Sequence, residues 1–128
     1  MTSAAPNPAG GISIHAVDVA AGAPARGLEV SLWRLEGPTG AAQPVASGRC
    51  TGTGVLDHPC VQGQGVTAGL YEARFAIGDY YRAQGQSLPD PAFLEQAIYR
   101  FGISDAAQHY HLPLKFTAWG FSLFRGGQ

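Results

Sequence analysis

Histidine is the side chain whose ordinary pKa lies near neutrality, so the four histidines are the first candidates for acid/base chemistry or metal binding. Two of them stand two residues apart in His109-Tyr110-His111-Leu112-Pro113-Leu114-Lys115-Phe116-Thr117. On an extended strand that spacing turns both rings to one face with Lys115 and Thr117, and gives Tyr110, Leu112, Leu114 and Phe116 the other. His15 alternates with Ile12, Ile14 and Ala16 in the same way, sharing its face with Ser13 and Val17. A solvated outer face would show the same alternation. His15, His109 and His111 could in principle hold zinc, but no cysteine or carboxylate joins them at a recognisable spacing, and no metal is expected. His58, between Asp57 and Pro59, reads as a surface histidine. No serine sits in a nucleophile-elbow sequence, so a serine triad is not supported.

The elements that must position these side chains are short strands separated by turns. Residues 11–18 form a strand, residues 21–27 a turn, and Leu28, Val30 and Leu32 alternate in a second strand before a further turn at 37–42. A short strand at 45–50 leads into Thr51-Gly52-Thr53-Gly54, a glycine-rich bend that needs an unusual backbone. In the strand at 70–77, Tyr71, Ala73, Phe75 and Ile77 share one face, with Glu72 and Arg74 on the other. Asp79 is placed to cap a short helix over 80–84, stopped by Gly85. Three more strands read at 93–103, 109–117 and 119–124. The pattern predicts an all-β, two-sheet β-sandwich with one short helix, and a barrel is the competing architecture.

Composition agrees. A chain of 128 residues suits one domain, here 11–128 behind a flexible N-terminal tail at 1–10. Charged residues are only 13%, while 18 glycines and 9 prolines provide for many turns. A net charge of -1 leaves no electrostatic footprint for nucleic acid or anionic lipid, so the expected partners are small molecules or proteins. The first residues lack a basic start and an apolar run, and no segment approaches the roughly 20 apolar residues of a membrane helix. Cys50 and Cys60 match no zinc spacing and read as reduced thiols, which predicts a cytoplasmic protein.

Several separated motifs carry a resemblance. Ile12-Ser13-Ile14-His15-Ala16-Val17-Asp18-Val19, continuing through Gly22, Pro24 and Ala25 to Leu32-Trp33-Arg34, resembles the opening strands of the transthyretin-like 5-hydroxyisourate hydrolases. Tyr80-Tyr81-Arg82-Ala83-Gln84-Gly85, Leu88-Pro89-Asp90-Pro91-Ala92-Phe93-Leu94, Arg100-Phe101-Gly102-Ile103 and His109-Tyr110-His111-Leu112-Pro113-Leu114 follow in the same order as in that family. The resemblance spans 11–127. It implies an eight-stranded transthyretin sandwich with one short helix, assembled as a homotetramer (a dimer of dimers) whose sites line a channel between the dimers. It also implies hydrolysis of a ring amide of 5-hydroxyisourate, without metal or cofactor.

Carried over residue by residue, the family's two catalytic histidines fall on His15 and His111. Its arginine, which follows an Asp-Gly bend, falls in Thr51-Gly52-Thr53-Gly54-Val55, so Val55 stands where a guanidinium is expected and Thr53 lies beside it. Its terminal Tyr-Arg-Gly-Ser becomes Phe124-Arg125-Gly126-Gly127, with Gln128 added. The resemblance thus implies that Val55, Thr53, Phe124, Arg125, Gly126 and Gly127 contact substrate. Hydrolysis of an amide needs a base for water and a donor for the developing oxyanion, and one such donor is worth on the order of 100- to 1,000-fold in rate. Lys115 stands where the family usually has an aliphatic residue; alternation puts it on the face of His111, close enough to supply the missing charge or to act as an amine. A lysine at the channel rim is the plainer alternative.

Three readings follow. One is a cyclic-amide hydrolase using His15, His111 and Lys115 or Arg125. The second is a repurposed enzyme with a less polar or bulkier substrate, and the third a non-catalytic carrier of a small molecule.

Overall fold

The computed structural model describes residues 10–37 and 39–127. Eight strands form two sheets: β1 (Ile12–Asp18), β2 (Ala23–Pro24), β3 (Glu29–Leu35), β4 (Ala42–Arg49), β5 (Gly69–Phe75), β6 (Ala97–Ile103), β7 (Tyr110–Thr117) and β8 (Gly120–Leu123). A 3-10 turn at Pro59–Gln62 and one helix, α1 (Ile77–Ala83), complete the set. The sheet orders are β2-β1-β7-β8 and β4-β3-β5-β6. Neither closes on itself, so the architecture is the sandwich and not the barrel.

Alternation explains the layers. Ile12, Ile14 and Ala16 of β1 and Leu112, Leu114 and Phe116 of β7 are buried and meet Val30, Leu32, Tyr71, Ala73 and Phe75 of the second sheet. Each large apolar side chain so buried contributes about 1.5 to 3 kcal/mol, which fixes which face of β1 and β7 points outward. β1 and β7 run parallel, with Ser13 opposite His111, His15 opposite Pro113 and Val17 opposite Lys115.

The helix differs from expectation. It begins at Ile77 behind Ala76, which provides no side-chain cap, so Asp79 lies inside the first turn. There its charge favours the N-terminal end of the helix, and its carboxylate accepts from Arg82 at 3.1 Å. Arg82 also donates to both oxygens of Glu95 at 3.0 and 2.6 Å, and Glu95 accepts from the Ala92 amide at 2.7 Å. Glu95 is thereby turned onto the helix, and β6 starts at Ala97 instead of Phe93. Strand β2, inside the expected first turn, and the 3-10 turn were not expected, and β4 is longer at its start.

Two ties position the site. Buried Asp18, at the end of β1, accepts from the hydroxyls of Tyr80 and Tyr81 at 3.0 and 2.7 Å and from the Ala21 amide at 3.2 Å. Burial and this carboxylate push Tyr80 up to about 12 and Tyr81 higher still. At the other end of β1, the Gly10 amide donates to Ala106 at 2.7 Å, so Gly10 is anchored; the rest of the expected tail, 1–9, lies outside the described residues. Both ends of β1 are held.

Candidate active site

The outer face of β1 and β7 carries Ser13, His15 and His111, with His109 immediately before β7. Ser13 lies across from His111, and its Oγ is 2.7 Å from His111 Nδ1 and 2.7 Å from His109 Nε2. His109 Nδ1 is 2.6 Å from the Gly10 carbonyl oxygen. His111 is half-buried; burial first, then the neighbouring His109 and His15, hold its imidazole below the ordinary histidine value. A neutral ring is a base.

The glycine-rich bend runs antiparallel beside β1. The Ala16 amide donates to Gly54 and the Leu56 amide to Ile14, at 2.8 and 3.3 Å, and His15 pairs with Val55. Gly54 has φ +83°, and a Cβ there would lie 2.5 Å from the Ala16 carbonyl oxygen. Only glycine fits the bend this close, and its consequence is to set Val55 next to His15. Val55 is 38% exposed. Thr53 is exposed, with its hydroxyl 3.1 Å from that of Thr51.

Between this bend and the 3-10 turn opens a cavity of about 700 Å³. Ser13 and His111 form one wall; Val55, Leu56, Pro59 and Val61 make much of the rest, with Thr51 and His58 among them. His58 is more than a surface group: its Nδ1 accepts the Cys60 amide at 3.0 Å and caps the turn that closes the cavity. Cys50 and Cys60 are both free and buried, and burial pushes each thiol up to about 11.

The C-terminal segment packs beside His111. The Gly126 amide donates to the His111 carbonyl at 2.7 Å, and a Cβ on Gly126 would lie 2.8 Å from His111 Cδ2. The segment approaches the ring closely because residue 126 has no side chain. Phe124 and Gly127 are exposed. Arg125 turns elsewhere: its guanidinium lies 4.1 Å from the centre of the Tyr110 ring and donates to Gln108 at 3.0 Å and to the His109 carbonyl at 3.3 Å.

Lys115 shares the outward face and is exposed, but it stands four residues beyond His111, about 13 Å along the strand. Its cross-strand neighbours are Val17 and Ser122. The structure therefore brings together His15, His111 and Val55 and draws Gly126 alongside, while Lys115 and Arg125 stand apart from the histidine pair within one chain. From the sequence, His109 is weighed only as one of four candidate histidines and Ser13 is not singled out; it is the β1–β7 register that sets Ser13 between His109 and His111. Among the described residues no cluster of three or more His, Cys, Asp or Glu side chains is arranged to hold a metal ion, and no helix is long and apolar enough to cross a membrane.

A β-sandwich whose outer face sets His111 in the wall of a cavity, with His15 and His109 near it, is equipped for acid/base work on a small molecule. The sequence profile of the HIUase/Transthyretin family matches residues 12–126. The chain is 43% identical over 117 residues to the 5-hydroxyisourate hydrolase of Ralstonia nicotianae, covering 91% of this chain and 98% of that one. It is 44% identical over 117 residues to 5-hydroxyisourate hydrolase 2 of Rhizobium meliloti, covering 91% and 96%. Among solved structures, an (S)-allantoin synthase superposes with a TM-score of 0.82 at 32% identity; the match covers 94% of this chain and 45% of the synthase. This chain belongs to the HIUase/Transthyretin family.

Proposed function

We propose that the protein hydrolyses the ring amide of 5-hydroxyisourate or of a closely related cyclic amide. The observation that carries this reading is His111, its imidazole held below the ordinary histidine value, at the wall of a cavity of about 700 Å³, with His15 on the same face. His111 takes the proton of the attacking water and returns it to the departing ring nitrogen, with His15 on the same face hydrogen-bonding the ring as it opens. Relatives named 5-hydroxyisourate hydrolase support the substrate class. Val55 beside His15 leaves the developing oxyanion without the guanidinium that the family resemblance leads one to expect, so turnover is slow relative to such a family member. Lys115 and Arg125 reach this site only from a neighbouring subunit of a tetramer, whose channel would be lined by this histidine face.

The test is the ultraviolet decay of freshly generated 5-hydroxyisourate with wild type and His111→Ala in parallel. Decay faster than the spontaneous rate, and lost in the variant, is expected; a wild-type rate equal to the spontaneous one would reject the reading. The apolar wall of Val55, Leu56, Pro59 and Val61 favours a second reading, a cyclic amide bearing a less polar substituent. Faster turnover of an alkylated ring than of 5-hydroxyisourate itself would select it.

A further inference from the structure

The outer face of β1 and β7 carries a hydrogen-bonded chain whose direction is fixed at one end. The Gly10 carbonyl oxygen can only accept, so the 2.6 Å contact makes His109 Nδ1 the donor. A neutral His109 then has a bare Nε2, which accepts the Ser13 hydroxyl at 2.7 Å. Having donated its one proton there, Ser13 Oγ offers His111 only lone pairs, so the second 2.7 Å contact requires the hydrogen on His111 Nδ1. Nε2 of His111 keeps its lone pair. The described residues give that nitrogen no hydrogen-bond partner, and the ring carbon next to it is the one that Gly126 approaches.

We propose that Ser13 and His109 are positioning residues that hold His111 in its Nδ1–H form, leaving Nε2 as the atom that takes the proton from the attacking water. This rests on the hydrolase reading above. The same chain relays the proton it receives. When Nε2 gains hydrogen, Nδ1 passes its own to Ser13 Oγ, and Ser13 passes its hydroxyl proton to His109 Nε2. His111 is then neutral with hydrogen on Nε2 alone, ready to give it to the departing ring nitrogen, and the positive charge rests on His109 against the Gly10 carbonyl. Delivery of that hydrogen runs the chain back to its starting form, so that water supplies hydroxyl to the carbonyl carbon and hydrogen to the nitrogen as the C–N bond breaks.

Serine suits the middle position because one hydroxyl both donates and accepts, and because the parallel register sets residue 13 level with 111. An alanine there would leave His111 Nδ1 without an acceptor and the ring free to take either tautomer.

The experiment reads the tautomer directly, by long-range proton–nitrogen correlation of the histidine rings in the whole protein, with no substrate present. Wild type is expected to show hydrogen on His111 Nδ1 and none on Nε2. Ser13→Ala should give a mixed or Nε2–H ring and a kcat lower by about tenfold or more with KM little changed, part of the roughly 100- to 10,000-fold that a positioned base supplies. Ser13→Thr keeps the hydroxyl and should restore both readings. An Nε2–H ring in wild type, or a tautomer unmoved by Ser13→Ala, would overturn the positioning role even with turnover intact. The expected tautomer without any turnover would support the positioning role and overturn the hydrolase reading instead.

Discussion

The two sheets each turn a polar strip outward, and the strips are built on opposite terms. On the second sheet, Glu72 is 5% exposed yet accepts from Arg74 at 2.6 Å and from Arg100 at 2.8 Å, and Arg74 lies 4.5 Å from the centre of the Trp33 ring. Both arginines lower the Glu72 carboxyl, mainly through those hydrogen bonds. Both carboxylate oxygens are occupied. On the first sheet, Ser13 and Gly10 occupy three of the four imidazole nitrogens of His109 and His111; the fourth, on His111, is left without a partner among the described residues, and His111 lines a cavity. Alternation of polar and apolar residues is the same in both strips; what separates a structural face from a chemical one is whether a lone pair is left over.

The contrast can be broken most severely at His111. His111→Ala should lower the decay rate of 5-hydroxyisourate by about 100- to 10,000-fold, to the spontaneous level, as ultraviolet absorbance will record. Val55→Arg tests the flank where the family resemblance leads one to expect a guanidinium: beside His15, on a position already 38% exposed, that group should raise turnover by about 100-fold. No gain would mean that the oxyanion is already served from another subunit.

The opposite strip should answer in stability and not in rate. Glu72→Gln is expected to cost about 1 to 2 kcal/mol in denaturant unfolding, discounted for the solvent reaching both arginines, with kcat unchanged. Because the folded carboxyl titrates lower than the unfolded one, at about 4.3, its contribution is complete above that pH and fades as acid protonates the folded group; the difference between variant and wild type should shrink accordingly. The smallest effect is the acid limb of kcat/KM. With His111 held below the ordinary value of about 6.5, that limb should lie on the acid side of it and move back towards it in His109→Phe.

Much of this fold could be read from alternation. The burial of Ile12, Ile14 and Ala16 against Leu112, Leu114 and Phe116 follows from a period of two, and it turned His15 and His111 outward as expected. The start of α1 could not be read locally, since Asp79 has the look of a cap and it is Glu95, sixteen residues later, that organises the turn. The site was half legible for a similar reason. Its histidines stand in periodic strands, but Ser13 acquires its role only through a register with a strand nearly a hundred residues away, and Lys115 shares the face of His111 without sharing its neighbourhood. Gly126 needs the third dimension altogether, because a missing side chain leaves no mark of what it makes room for.

The parallel pairing of β1 with β7 also dictates when the chemistry can exist. Ser13 and His111 are 98 positions apart, so a growing polypeptide synthesises the hydroxyl long before the imidazole it will meet. Until β7 emerges, β1 has a bare hydrogen-bonding edge, the kind that recruits stray strands, and the late closure of so distant a pair slows folding. Catalytic competence therefore waits for β7 to be made and paired with β1, and an assay for it doubles as an assay for that pairing.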